Sequence, residues 1–210
     1  MKTSVLLASA LSLVATAPTN TALTAEDIKA IEPVTESCAG RGGDFTKECR
    51  TAAQAAGPIS HSFSKYRINS VGEQAALVAL MLFESGSFTY DKNHFPAPGR
   101  PGQGTRNMQS PEFNFEYAKD LYGEETALAA NATGPEAVLK LVNGNDADSF
   151  GSAAWFLSTQ CKDPIKQGLA SESQAGWSAY LTECIGTTDV PERDTIWTKT
   201  LEILKPDGCA

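Results

Sequence analysis

Glu84 is the residue of this chain whose setting most suggests acid–base chemistry. It ends the apolar run Ala75-Ala76-Leu77-Val78-Ala79-Leu80-Met81-Leu82-Phe83 and is followed at once by Ser85-Gly86. A carboxylate beside that much apolar surface is expected to resist ionising, because burial penalises the charged form. A protonated carboxylic acid is what a glycoside hydrolase needs as its general acid. Such an enzyme also needs a second group: a carboxylate about 5–5.5 Å away if retaining, or a base about 6.5–9.5 Å away with water between if inverting. Asp91, in the loop that follows, is the first choice for a water-activating base, and an ordinary loop carboxylate is an equally good reading of it. Glu112 and Glu116 fit a helix face better.

Other chemistries find less support. The two histidines, His61 and His94, lack the His-Glu-x-x-His spacing of a zinc helix, so neither a metal site nor a cofactor is expected. His94 lies in the loop and reads as a substrate neighbour. Ser85 is not in a Gly-x-Ser-x-Gly elbow, since Phe83 holds the first glycine position. Gly99, Gly102 and Gly104 do not join a strand to a helix, which disfavours a phosphate loop. Trp155, Trp177 and Trp197 fall on helical patterns and read as core more readily than as sugar platforms. Asn107 and Gln109 can hydrogen-bond N-acetyl groups.

The elements that must position these groups are mostly helical. Thr24 caps a short helix, and a glycine-bearing loop and an alanine-rich segment follow, ending at Gly57-Pro58. Ser70 and Glu73 have capping-box spacing before the long apolar helix, which is apolar on nearly all sides and belongs at the centre of the fold, with Gly86 as its stop. Residues 87–109 hold too many prolines and glycines for a helix and form a long loop or small hairpin. Helices are predicted over 111–121, 136–142, from 148 or 149 through Leu157, over 173–185 and over 191–204. The fold class is mainly α, or α+β if the 87–109 loop carries strands.

Composition sets the outer bounds. The chain has 210 residues, 41% of them apolar, which suits one domain. Residues 1–17 read as a secretory signal, with Lys2 before an apolar stretch too short to span a bilayer, leaving 18–210 as a single catalytic domain. The expected protein is secreted, extracellular and monomeric. Five cysteines agree with export: Cys38 pairs plausibly with Cys49, Cys161 with Cys184, and Cys209 is left over. Asn131-Ala132-Thr133 is a glycosylation sequon expected on an exposed loop. A net charge of −8 with no basic stripe argues against nucleic acid, and no membrane partner is expected. Within this acidic chain, Lys92, His94, Arg100 and Arg106 face only Asp91 in sequence, so the 87–109 loop is either a locally positive field or simply solvated.

Glu84-Ser85-Gly86 resembles the Glu-Ser-Gly signature of the lysozyme-like superfamily, particularly goose-type lysozymes and soluble lytic transglycosylases. Met108-Gln109 is similar to the Met-Gln motif that returns to line their cleft. Arg106-Asn107 stands where that family has Gly-Leu, and the loop is longer. The resemblance covers Ser70 to about Asn114, and the overall character of the chain is similar to that of secreted fungal muramidases of this superfamily. The resemblance implies a helical lysozyme-like domain in which Glu84 is the general acid, Asp91 a second catalytic group, and Met108, Gln109, Asn107, His94, Arg106 and Tyr180 line the substrate. It implies hydrolysis of bacterial peptidoglycan, with two alternatives: a chitinase or chitosanase on the same scaffold, or a non-catalytic secreted carbohydrate binder. Lytic transglycosylation, which needs no second carboxylate, stays open beside hydrolysis.

Overall fold

A computed structural model describes residues 22–205. The expected signal at 1–17 and Cys209 lie outside the described residues. Within them the chain is helical, with no sheet, and the mainly α expectation is borne out.

Local rules account for most of the elements. Thr24 closes a capping box with Asp27 and starts α1 (Ala25–Ile31). Two 3₁₀ turns, Pro33–Glu36 and Gly43–Glu48, lead to α2 (Ala52–Tyr66), whose own box is Thr51 with Gln54. The expected stop at Gly57-Pro58 does not occur. Pro58 is inside α2, which continues because Ile59, Ser62 and Phe63 bury their side chains. The lost backbone hydrogen bond at a proline is thus outweighed by tertiary packing against the later helix Asp146–Gln160.

The central helix, α3 (Val71–Glu84), begins at the expected Ser70–Glu73 box and has ten buried residues among its fourteen. It packs against α10 (Pro191–Leu204) and α8 (Asp163–Ala170). Gly72 permits the close approach to α8: a Cβ there would stand 1.9 Å from the Leu169 carbonyl oxygen. After the 87–109 loop come α4 (Pro111–Tyr122), α5 (Glu124–Thr133) and α6 (Pro135–Val142), which pack on one another. Next is α7 (Asp146–Gln160), capped by Asn145, which supplies Phe150, Trp155, Phe156 and Leu157 to the core. The predicted 173–185 helix divides into α9 (Gln174–Ala179) and a π-helical stretch, Tyr180–Ile185. Helices α5 and α8 were not anticipated. The sequon Asn131 is exposed, but in the last turn of α5 rather than on a loop.

The three tryptophans are core residues, each 5% exposed or less. Cys38 is bonded to Cys49 and Cys161 to Cys184, as expected. No helix among the described residues is long and apolar enough to cross a membrane.

Candidate functional site

The end of α3 is built to turn sharply. Ser85 Oγ donates to the Met81 carbonyl at 2.6 Å and accepts from the Phe88 N–H at 2.8 Å, while its own carbonyl accepts from the Tyr90 N–H at 2.9 Å. Gly86, Ser87 and Phe88 follow with φ of 59°, 57° and 65°, a left-handed run that folds the chain back on the helix end. Glu84 is left at the lip, its side chain 21% exposed.

The partner of Glu84 comes from the far end of the chain. Arg193 Nη2 donates to Glu84 Oε1 at 2.6 Å and to Thr187 Oγ1 at 3.3 Å, and the guanidinium lies 4.0 Å from the Phe83 ring centre. Its side chain is 7% exposed. Arg193 Nε and Nη1 are buried without a hydrogen-bond partner, as is the Tyr180 hydroxyl nearby. Burial pushes the Tyr180 phenol well above its ordinary range; Glu84 adds to that and Arg193 opposes it. Among the described residues no protein donor meets Glu84 Oε2.

Glu84 opens onto a cleft of about 310 Å³, shared by Arg100, Gln103, Asn107, Met108 and Gln109 of the loop with Phe113, Phe156 and the Ile185-Gly186-Thr187 turn. The amides are held in place. Asn107 Oδ1 accepts from Thr105 Oγ1 and Ser152 Oγ at 2.8 and 2.7 Å, and Gln109 Nε2 donates to Asn114 Oδ1 at 2.8 Å. Phe113 and Phe156 meet edge to face with ring centres 4.8 Å apart. Arg100 reaches Glu112 at 3.6 Å, so both charged groups lining the cleft have a counter-charge. The loop's return is fixed by Gly104, which bridges Lys92 on one side and Gln109 on the other. A Cβ at Gly104 would stand 2.5 Å from the Asp91 carbonyl oxygen and 2.7 Å from Leu139.

Glu84, Asn107, Met108 and Gln109 therefore come together as expected, and four other expected site residues do not line this cleft. Arg106 is fully buried and tethers the loop: it donates to the carbonyls of Phe88, Tyr90 and Glu48 at 3.1, 3.2 and 2.7 Å. Burial draws its guanidinium down to about 10, with Asp91 opposing. Asp91 pairs with it at 3.7 Å and lines a separate hollow with Lys92, Glu136 and Asn143. Burial raises the Asp91 carboxyl above its ordinary value, with Arg106 opposing. His94 is stacked on Phe45 with ring centres 3.5 Å apart and paired with Glu48 at 2.9 Å. Tyr180 lies buried behind Glu84. Of the two readings of the 87–109 cations, a positive field or a solvated loop, the field is answered by pairing, because Lys92, His94, Arg100 and Arg106 each meet a carboxylate.

Arg193, Phe113, Thr187 and Ile185 were missed. Arg193 had a legible cue: it shares the buried face of α10 with Trp197, Thr200 and Leu201, so the helical period places a cation on an apolar stripe. The 109-residue separation hid which carboxylate it meets.

What the fold and site define by themselves is a mainly helical protein with a polar–apolar cleft at the end of its central helix. Comparison with known proteins adds one relative. A protein of Fusarium oxysporum (strain Fo5176), named bifunctional dioxygenase (DOX)-epoxy alcohol synthase (EAS), is 43% identical over 144 residues. The match takes in 64% of this chain but only 11% of that protein, so the chain corresponds to a small part of its relative. No family model matches the chain, and no solved structure matches it significantly.

This relative corrects the functional expectation. It is named for oxygenation and epoxy alcohol formation, not for glycan cleavage, so the readings as a peptidoglycan hydrolase, a chitinase or chitosanase, or a carbohydrate binder do not stand, and neither does a polysaccharide partner. Oxygenation itself calls for a redox-active metal or organic cofactor. Among the described residues no three His, Cys, Asp or Glu side chains gather to hold a metal ion, His94 is engaged by Glu48 and Phe45, and His61 is exposed on α2. These residues do not fit a redox metal, and no oxygenase step is assigned to them.

Proposed function

We propose that this chain is a ligand-binding module whose cleft takes an amphipathic alcohol, of the epoxy alcohol class that its relative's name specifies. The observation behind this reading is the lining of one cleft by a carboxylate oxygen free to accept, fixed amides, and the apolar Met108, Phe113, Phe156 and Ile185. An epoxy alcohol has matching parts: a hydroxyl that donates to Glu84 Oε2, an oxirane oxygen that accepts from an amide or Arg100, and a hydrocarbon chain for the apolar residues. Catalysis is not part of the proposal, since Glu84 is tied to Arg193 and, among the described residues, no second carboxylate lines the cleft.

We further propose a lysozyme-like scaffold, used here for binding. The placement of Glu84-Ser85-Gly86 at the end of a buried helix, with Met108-Gln109 in the same cleft, supports that reading. An extracellular location is proposed on the support of the two disulfides. Calorimetric titration with a long-chain epoxy alcohol tests the binding function. Saturable binding by the natural protein, weakened about tenfold by Glu84→Gln through loss of one charge-assisted hydrogen bond, is expected. Absence of binding, or equal binding by the Glu84→Gln variant, overturns it.

A further inference from the structure

The proposed site takes a neutral hydroxyl at Glu84, although a carboxylate on its own would favour a cation. We infer that Arg193 decides this: it pins one oxygen of Glu84, leaves the other for the ligand, and cancels the carboxylate's charge, so that the cleft selects a neutral hydroxyl over an ammonium group. This rests on the binding function proposed above and specifies what that site accepts.

Three observations converge on Arg193, and a fourth concerns the other charge of the cleft. Its contact with Glu84 is monodentate, through Nη2 to Oε1 at 2.6 Å, so the second oxygen is not consumed. The guanidinium lies over the Phe83 ring at 4.0 Å and also donates to Thr187 at 3.3 Å, two contacts that restrict the orientation it imposes on Glu84. Its remaining donors, Nε and Nη1, meet no acceptor, and the buried Tyr180 hydroxyl is likewise unpartnered, so the surroundings of Glu84 hold a surplus of donors. The positive charge those donors carry stays beside the carboxylate and is not drawn off by any other acceptor. Finally, Arg100, the other charge lining the cleft, is met by Glu112 at 3.6 Å. A cleft whose charges are already paired has little to offer an ammonium group that must shed its hydration to enter, whereas a hydroxyl loses far less and keeps its hydrogen bond.

The test is a ratio, because a merely structural role for Arg193 lowers all affinities together. Dissociation constants for 1-octanol and for octylammonium are measured with the natural protein, with Arg193→Met and with Arg193→Lys, each checked for cooperative thermal unfolding. The octanol-to-octylammonium preference is expected to swing toward the ammonium by about tenfold in Arg193→Met, where Glu84 is left uncompensated. Arg193→Lys, which keeps a positive charge beside Glu84, is expected to restore most of the original preference. If Arg193→Met does not fold, Arg193→Gln carries the same comparison. Weakening of both ligands with an unchanged ratio overturns the role of Arg193 and leaves the binding function intact. Failure of the natural protein to bind either ligand overturns both.

Discussion

Two buried arginines divide the work of this molecule, and they are built alike up to one point. Arg106 and Arg193 are each 7% exposed or less, each lies over an aromatic ring (Phe150 at 4.9 Å, Phe83 at 4.0 Å), and each faces one carboxylate. Arg106 also donates to three main-chain carbonyls from the loop and from the Gly43–Glu48 turn, leaving only Nε unmet. Arg193 donates through a single nitrogen, to Glu84 and Thr187, and leaves Nε and Nη1 unmet. A nearly saturated guanidinium is a staple, because its hydrogen bonds exist only in the folded chain. One that leaves two buried donors unmet beside an open cleft contributes less to stability than its burial costs. The difference separates the arginine that makes the loop from the one that tunes the site.

The sharpest way to break this comparison is to remove each guanidinium in turn. Arg106→Met strands Asp91 in a largely buried place, removes the side-chain donor from the carbonyls of Phe88, Tyr90 and Glu48, and leaves those of Phe88 and Glu48 only their bonds from Arg50. A loss of about 3–5 kcal/mol is expected, the range for breaking one side of a buried ion pair. Arg193→Met deletes two unmet donors along with the pair, and Glu84 at the lip can take water in exchange, so its loss should be well under half as large. Denaturant titration of both variants checks this. Equal losses would show that the two arginines are equivalent staples.

The next largest effect concerns what Arg106 is stapled to. Residues 41–50 clamp the start of the loop: Arg41 Nη2 donates to the carbonyl of Ser87 at 2.5 Å and to Thr89 Oγ1 at 2.6 Å, and Glu48 holds both His94 and the Asp91 N–H. The Cys38–Cys49 bond closes that segment on itself. Replacing both cysteines by serine is expected to destabilise the protein by about 2–3 kcal/mol, as for a short closed loop. It should also raise amide exchange over 86–95 before it does so in α10. Uniform exchange across both regions would mean that the clamp and the Arg193 side are not separate units.

These contrasts also explain what was legible in the sequence. The Ser70–Glu73 box, the apolar run to Glu84 and the Pro-led starts of α4 and α10 are local facts, carried by neighbours within four residues, and they are where the structure puts them. Both disulfides were readable because spacing and flanking helix patterns constrained them. Missing were decisions taken by tertiary packing. Pro58 is tolerated because α2 buries Ile59 and Phe63, and Arg106, placed by sequence in a substrate loop, turned inward to three carbonyls. Asp91 followed it inward, so a carboxylate near Glu84 in sequence is not near it in the cleft. Function was the least legible: a three-residue motif implied a glycosidase, and the 43% identical relative has a different chemistry in its name.

The smallest expected effect lies in the Asp91–Arg106 pair itself, and its sign is fixed by linkage. Burial raises the Asp91 carboxyl above its value of 3.8 in an unfolded chain, the guanidinium of Arg106 opposing without overcoming it. The folded protein therefore binds this proton more tightly than the unfolded chain does, and stability must fall as pH rises through the interval between the two values. The contribution is fully present below pH 3.8 and is lost once pH passes the folded value. Asp91→Asn removes the titration while keeping a polar group of similar size beside Arg106. The difference in stability between the natural protein and Asp91→Asn should then shift against the natural protein as pH climbs out of that interval, and should be flat well above it. Thermal unfolding of both proteins at matched ionic strength, from acid to neutral pH, measures the shift. A difference that moved in favour of the natural protein would mean that Arg106 outweighs burial, and the pair would then be a stabilising bridge rather than a carboxylate drawn inward by its arginine.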